Sequence, residues 1–187
     1  MQNDSFALPD NMRRLRLTSD YCFGIFDCGN ADLNDFLFLD AKLHSKYLHY
    51  VTYILEAGDQ IIAYYSIAND KIQVSEVDDF WESMDYMERN DFYSLFKDIR
   101  SFPAIKIGRL AVDKNYQDHN IGTMIIQSLV YSAVYSNKTG CQFLILDALN
   151  NLRTVNFYER NKFDYMTVRD VNSPTRQMYR CLLMDVL

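Results

Sequence analysis

Between Ile105 and Phe163 the hydrophobic period switches repeatedly, and no other feature limits the fold so strongly. Ile105 to Val112 is apolar on both faces, as a strand covered on both sides would be. Ile121 to Tyr135 places Ile121, Ile125, Leu129 and Ala133 on one stripe, which predicts an amphipathic helix. Gly140 ends that connection, Gln142 to Leu146 reads as a second buried strand, and Asn151 to Arg160 as a second helix. Strand, helix, strand, helix in this order implies a parallel βαβ crossover.

The flanks read as antiparallel pieces. Arg13 to Leu17 is a short strand. Asn30 to His44 is a helix with Leu33, Phe36, Leu37 and Asp40 at helical spacing and Asn30 as its N-cap. Tyr50 to Glu56 and Gln60 to Ala68 are strands joined by the turn Ala57-Gly58-Asp59. Phe163 to Val168 and Gln177 to Met184 close the chain as an antiparallel pair. The expected class is therefore mixed α/β: a mostly antiparallel sheet with one parallel crossover and helices on both faces. The length of 187 residues suits one domain over 1–187 with a single core.

The net charge of −6 is concentrated. Glu76, Asp78, Asp79, Glu82, Asp85, Glu88, Asp91 and Asp98 stand against only Arg89 and Lys97, so the rest of the chain is neutral. Residues 75–103 are read as an acidic insertion with helices near Asp79 to Met87 and Asp91 to Asp98, solvated on one face, capping a sheet edge and closed by Pro103. No segment has the Lys and Arg excess with which proteins track phosphate backbones. No apolar run reaches the roughly 18 residues of a membrane span, and Met1-Gln-Asn-Asp-Ser lacks a signal peptide's basic and apolar regions, so a cytoplasmic location is expected. Four cysteines and three histidines show no zinc-binding spacing, and no metal is expected.

Chemistry enters at the turn Lys114-Asn-Tyr-Gln-Asp-His-Asn-Ile-Gly-Thr123, which passes from strand to helix. A helix N-terminus gathers N–H groups and about half a positive charge, which suits a phosphate. In the second helix, Asn151 and Tyr158 are seven residues apart, within about 20° of one face and about 10 Å along the axis. Thr154 and Val155 share that stripe, which could track an extended ligand arm or could face the core.

Gln117-Asp-His-Asn120-Ile-Gly122 and Asn151-Leu-Arg-Thr154-Val-Asn-Phe157-Tyr158-Glu-Arg160-Asn-Lys162-Phe163, in this order, resemble the two motifs of the GNAT superfamily of acyl-CoA N-acetyltransferases. The resemblance implies acetyl-CoA as co-substrate. The backbone at Leu110 and Val112 would hold the pantetheine arm, and Gln117, Asp118, His119, Asn120, Ile121, Gly122 and Thr123 would hold the pyrophosphate, with Asn151 also on the cofactor. Tyr158 would protonate the departing thiolate, and an N–H on the Leu110 strand would polarise the thioester carbonyl. Asn120, Asp118 and Lys162 replace glycines of the family pattern. Asn tolerates positive φ, whereas the Asp118 carboxylate would repel a pyrophosphate unless turned away, an effect that Lys114 or His119 would offset.

Many family members use a glutamate base on this strand. Here its ionisable residues are Lys106, Arg109 and Asp113, with Asp147 on the neighbouring strand as an alternative base or anchor, or a turn carboxylate. An unassisted amine must arrive neutral. At pH 7.4 an α-amine is roughly 30% neutral and a lysine amine about 0.1%, which favours an α-amine.

Phe26-Asp-Cys-Gly-Asn-Ala-Asp-Leu33-Asn-Asp-Phe-Leu37 and Gly108-Arg-Leu-Ala-Val-Asp113 are further similar to bacterial GNAT toxins that acetylate aminoacyl-tRNA. The expected acceptor is a small amine or peptide α-amine. Aminoacyl-tRNA is an alternative that the charge disfavours, and a non-catalytic acyl-CoA-binding or protein-interaction module is another. No membrane partner is expected, and a homodimer is left open.

Overall fold

The computed structural model describes residues 9, 11–83, 94–136 and 138–186. Its described strands are β1 (Arg13–Arg16), β2 (Val51–Ala57), β3 (Gln60–Gln73), β4 (Ser101–Val112), β5 (Phe143–Leu149), β6 (Asp164–Tyr165) and β7 (Thr175–Cys181), hydrogen-bonded in the order β1-β2-β3-β4-β5-β7-β6. The sheet is mostly antiparallel, with β4 and β5 as the parallel pair. The crossover read from the hydrophobic period is thus present. Its helix, here α4, spans Ile121–Tyr135 and buries Ile121, Ile125, Leu129 and Ala133.

Contacts divide the chain into two units. The first comprises Met1–Ala68 and Ile107–Ser128. In it β1 pairs with β2, Arg13 opposite Glu56, and β2 pairs with β3, Val51 opposite Ile67. Gly58, at φ +59, sits in the hairpin turn, where a left-handed backbone is needed. Asn30 caps α1 (Ala31–Asp35) by accepting from the Leu33 N–H at 3.1 Å. The helix read as one piece has an interruption: a π-turn at Phe36–Asp40 separates α1 from α2 (Ala41–Lys46). Phe36 and Leu37, buried from this turn, join Leu17, Phe26, Ile54, Ile61 and Tyr64 in the core. The Tyr64 hydroxyl donates to the Leu33 carbonyl at 2.6 Å, so the ring's polar end is satisfied inside the apolar cluster.

The second unit comprises Asn69–Lys106 and Leu129–Leu187. Its helix α5 (Leu152–Arg160) follows β5, and β7 pairs antiparallel with both β5 and β6. Here the acidic segment departs from expectation. Pro103 does not close it: β4 already begins at Ser101, and Pro103 lies within the strand, exposed, its carbonyl accepting from the Gln142 N–H at 2.9 Å. A proline has no N–H to give, and a place near a strand's start tolerates that. Of the two expected helices, α3 (Phe80–Ser83) and a turn at 94–96 are described, and residues 84–93 lie outside the described residues. Nor is the segment only a solvated face. Val77 and Phe80 are buried with Phe102, Phe143 and Tyr179, and Phe80 stacks on Phe102 at 5.5 Å. Asp78 ties the segment down by accepting from the Thr167 hydroxyl and the Val168 N–H.

Candidate active site

Strand β4 delivers the chain into the turn before α4, and side chains rather than regular structure fix that turn. Asp113, 2% exposed, accepts from the Asp27 N–H at 2.9 Å and from the Asn115 N–H and Nδ2, each at 3.0 Å. The Gln117 amide donates to the Val112 and Cys28 carbonyls, both at 2.9 Å. Gln117 therefore staples the turn to the strand end, a role its place in the motif did not disclose. The Lys114 Nζ is 2.8 Å from Asp27, whose carboxyl it holds well below the usual carboxylate range, with help from the Gly29 N–H and Asn34.

The decisive local geometry concerns the absent glycines. Asp118 and Asn120 have φ of +63° and +64°. Both are exposed, while Ile121 and Gly122 are buried at the start of α4 and Thr123 is half-buried. A helix's first N–H groups, those of Ile121 and Gly122 here, have no partner within the helix and point along its axis. The backbone therefore bends as a glycine turn would, using residues that tolerate the left-handed region.

Leu110 and Val112 lie half-buried on the last stretch of β4 in the same unit. Gly108, two residues earlier, packs beneath Tyr50: a Cβ there would meet the ring's Cε1 at 2.3 Å. Arg109 donates to the Gly108 carbonyl at 2.7 Å and lies 5.1 Å from the Phe36 ring centre. With Asp113 occupied by the turn, β4 presents no carboxylate to an incoming ammonium.

Tyr158 and Asn151 belong to the second unit. Asn151 accepts from the Thr154 N–H at 2.9 Å, so its amide oxygen serves as the N-cap of α5. Tyr158 is 8% exposed, edge-on to Phe157 at 4.9 Å and to Phe163 at 5.4 Å, and burial pushes its phenol well above its ordinary value. It holds its proton throughout the neutral range. After it the helix closes with paired bonds, Phe163 N–H to the Tyr158 carbonyl and Lys162 N–H to the Glu159 carbonyl, with Lys162 at φ +64°. This pairing normally carries glycine at the left-handed position. Asp147 is no turn or helix-start carboxylate: it lies within β5, 2.7 Å from Lys106, and lines a cavity of about 180 Å³ with Asp70, Lys71, Glu76 and Gln177.

Among the described residues no cluster of metal-binding side chains occurs, and no helix is long and apolar enough to cross a membrane. Residues 49–165 match the family model described as the acetyltransferase (GNAT) domain. No curated relative matches in sequence. Among solved structures, a tyrosine-to-phenylalanine mutant of KacT superposes with a TM-score of 0.74 at 19% identity, covering 93% of this chain and 96% of its own. AtaT complexed with acetyl-methionyl-tRNAfMet gives 0.71 at 21% identity, with 94% and 97% covered. AtaTR bound with acetyl-CoA gives 0.70 at 22% identity, with 94% and 96% covered.

Proposed function

Since the chain belongs to the GNAT acetyltransferase family, and is thereby an acyl-CoA-dependent acetyltransferase, we propose that it moves the acetyl group of acetyl-CoA onto a weakly basic α-amine of a small molecule, peptide or aminoacyl group. The observation behind cofactor binding is the left-handed backbone at Asp118 and Asn120, which keeps the phosphate turn's shape without its glycines. In this reading the N–H groups of Ile121 and Gly122 receive the pyrophosphate and the β4 backbone at Leu110 and Val112 receives the pantetheine arm. A β4 N–H holds the thioester oxygen as charge develops on it. Tyr158, a phenol that is protonated at neutral pH, supplies the proton that the departing thiolate needs.

The acceptor class follows from the engagement of β4's ionisable groups. Lys106 is paired with Asp147, Arg109 is bound to its own strand, and Asp113 is buried in the turn. Nothing on the strand removes a proton from an ammonium, so an amine that is already largely neutral near pH 7 is preferred. The test is thiol release from acetyl-CoA with methionine amide, a free tripeptide and Nα-blocked lysine. Release with the first two and little with the third is expected, and selective use of the blocked lysine would overturn the acceptor class.

A second reading places the α-amine on an aminoacyl-tRNA, as in the AtaT complex with acetyl-methionyl-tRNAfMet. Coverage of nearly the whole of both chains favours it, and a net charge of −6 opposes it. Acetylation of methionyl-tRNA much faster than methionine amide would select this reading.

A further inference from the structure

Where α2 gives way to β2, three rings cluster on the sheet unit that holds the phosphate turn. The His44 and His49 rings lie 4.9 Å apart and 22° from parallel, and Tyr50 lies 5.6 and 4.6 Å from them. The two Nδ1 atoms are 2.9 Å apart. At that distance one must donate and the other accept, so each imidazole fixes the tautomer of the other. The donor is left with a bare Nε2. His44 is half-buried, held between Phe36 at 5.3 Å and Tyr50, while His49 is exposed. Tyr50 anchors the group to β4, since its ring covers Gly108, two residues before Leu110. The cluster is thereby tied through Tyr50 to β4 at Gly108, two residues before the backbone that receives the pantetheine arm in the reading above.

Resting on that reading, we propose that His49 accepts the proton released by the attacking amine, with His44 as a positioning residue that shares the charge. The amine nitrogen forms a bond to the thioester carbon, and the carbonyl electron pair moves to oxygen. The carbonyl then re-forms as the C–S bond breaks with its electron pair on sulfur. The proton on nitrogen passes to Nε2 of His49, whose Nδ1–H hydrogen bond spreads the new charge onto Nδ1 of His44. The products are an N-acetyl amide and a CoA thiolate that takes a proton. Imidazole exchanges protons near neutral pH, which suits an α-amine adduct and does not suit stripping a lysine ammonium. Beside the pair stand the Tyr50 phenol and the Phe36 ring, which also carries the Arg109 guanidinium, while Lys46 lies over the Tyr47 ring.

The experiment measures kcat by thiol release with acetyl-CoA and methionine amide between pH 6 and 9.5, with acetyl-CoA-induced thermal stabilisation as the binding check. His49→Gln is expected to lower kcat about 100-fold at pH 7, within the usual range for losing a general base. The binding shift should be unchanged, and the pH profile should reduce to the titration of the attacking amine alone. His44→Gln should keep the binding shift and displace the profile along the pH axis, a change that loss of packing alone would not produce. Should His49→Gln fail to melt cooperatively, His49→Ala with added imidazole replaces it, and restored turnover is expected. Wild-type kcat and pH profile in His49→Gln, or no rescue of a folded His49→Ala, would overturn the assignment alone. No thiol release by the wild-type chain with any α-amine would overturn the acetyl-transfer reading and this assignment together.

Discussion

At Asp118, Asn120 and Lys162 the chain adopts left-handed backbone with residues that carry a Cβ. The strain differs among them, because Asp and Asn visit this region readily and lysine does not. Lys162→Gly should therefore stabilise the protein by about 0.5 kcal/mol, the relief of strain exceeding the added freedom of the unfolded chain. Asn120→Gly should change stability little, and denaturant midpoints of the two variants check both. Asp118→Gly removes a carboxylate from the start of α4, and its effect should appear in acetyl-CoA affinity: a few-fold tighter binding at low salt, fading as salt rises. Tyr158→Phe should cut turnover while leaving acetyl-CoA binding largely intact. Unchanged turnover would remove the phenol from its proposed role as acid.

At the scale of elements, caps and close approaches decide what can change. Removing the α5 cap with Asn151→Ala should cost about 1 kcal/mol, seen as a lower midpoint. Gly24 is less forgiving. A Cβ there would lie 2.0 Å from the Asp59 carbonyl oxygen, beside the bond from the Ile25 N–H to that oxygen. Backbone must move to admit it, so Gly24→Ala should destabilise by roughly 1–3 kcal/mol.

The elements were legible wherever one period ran unbroken. The stripe from Ile121 to Ala133 matched α4, and Asn30 marked a helix start by its chemistry, whereas the capping role of Asn151 came only with the fold. The π-turn at Phe36–Asp40 left no mark, because the apolar run of Phe36, Leu37, Phe38 and Leu39 satisfies a regular helix equally well. Pro103 misled because its effect depends on the partner it lacks, and pairing is a tertiary property. In the candidate site, the sequence pattern marked the turn before α4 and the α5 position of Tyr158, whose roles remain the proposal above. It did not locate the Gln117 staple, the Lys114–Asp27 pair or the His44–His49 contact, which join residues through folded geometry.

For the whole molecule, several phenols set an alkaline limit. Burial raises Tyr64 and Tyr158, and burial together with the Glu56 carboxylate raises Tyr21. A phenol whose folded value lies above its unfolded one supports the native state below the unfolded value, about 10. That support is lost as pH climbs toward the folded value, because the unfolded chain releases protons that the native chain retains. Tyr64 and Tyr158 should each remove up to about 1.4 kcal/mol per pH unit over that window, and the more exposed Tyr21 less. Denaturation midpoints between pH 9 and 11.5 should fall accordingly, and a flat profile would contradict the burial. Tyr64→Phe should flatten the slope while lowering stability at pH 7 through loss of the bond to Leu33. The two units differ in another respect, since each is assembled from two separate stretches of chain. Residues 1–128 contain the whole of the first unit and residues 69–187 the whole of the second, but each of these pieces also carries 69–106 or 107–128 from the other unit. Simple truncation therefore never yields a unit free of foreign chain, whereas a deletion that joins 1–68 directly to 107–128 is the design that isolates the turn before α4.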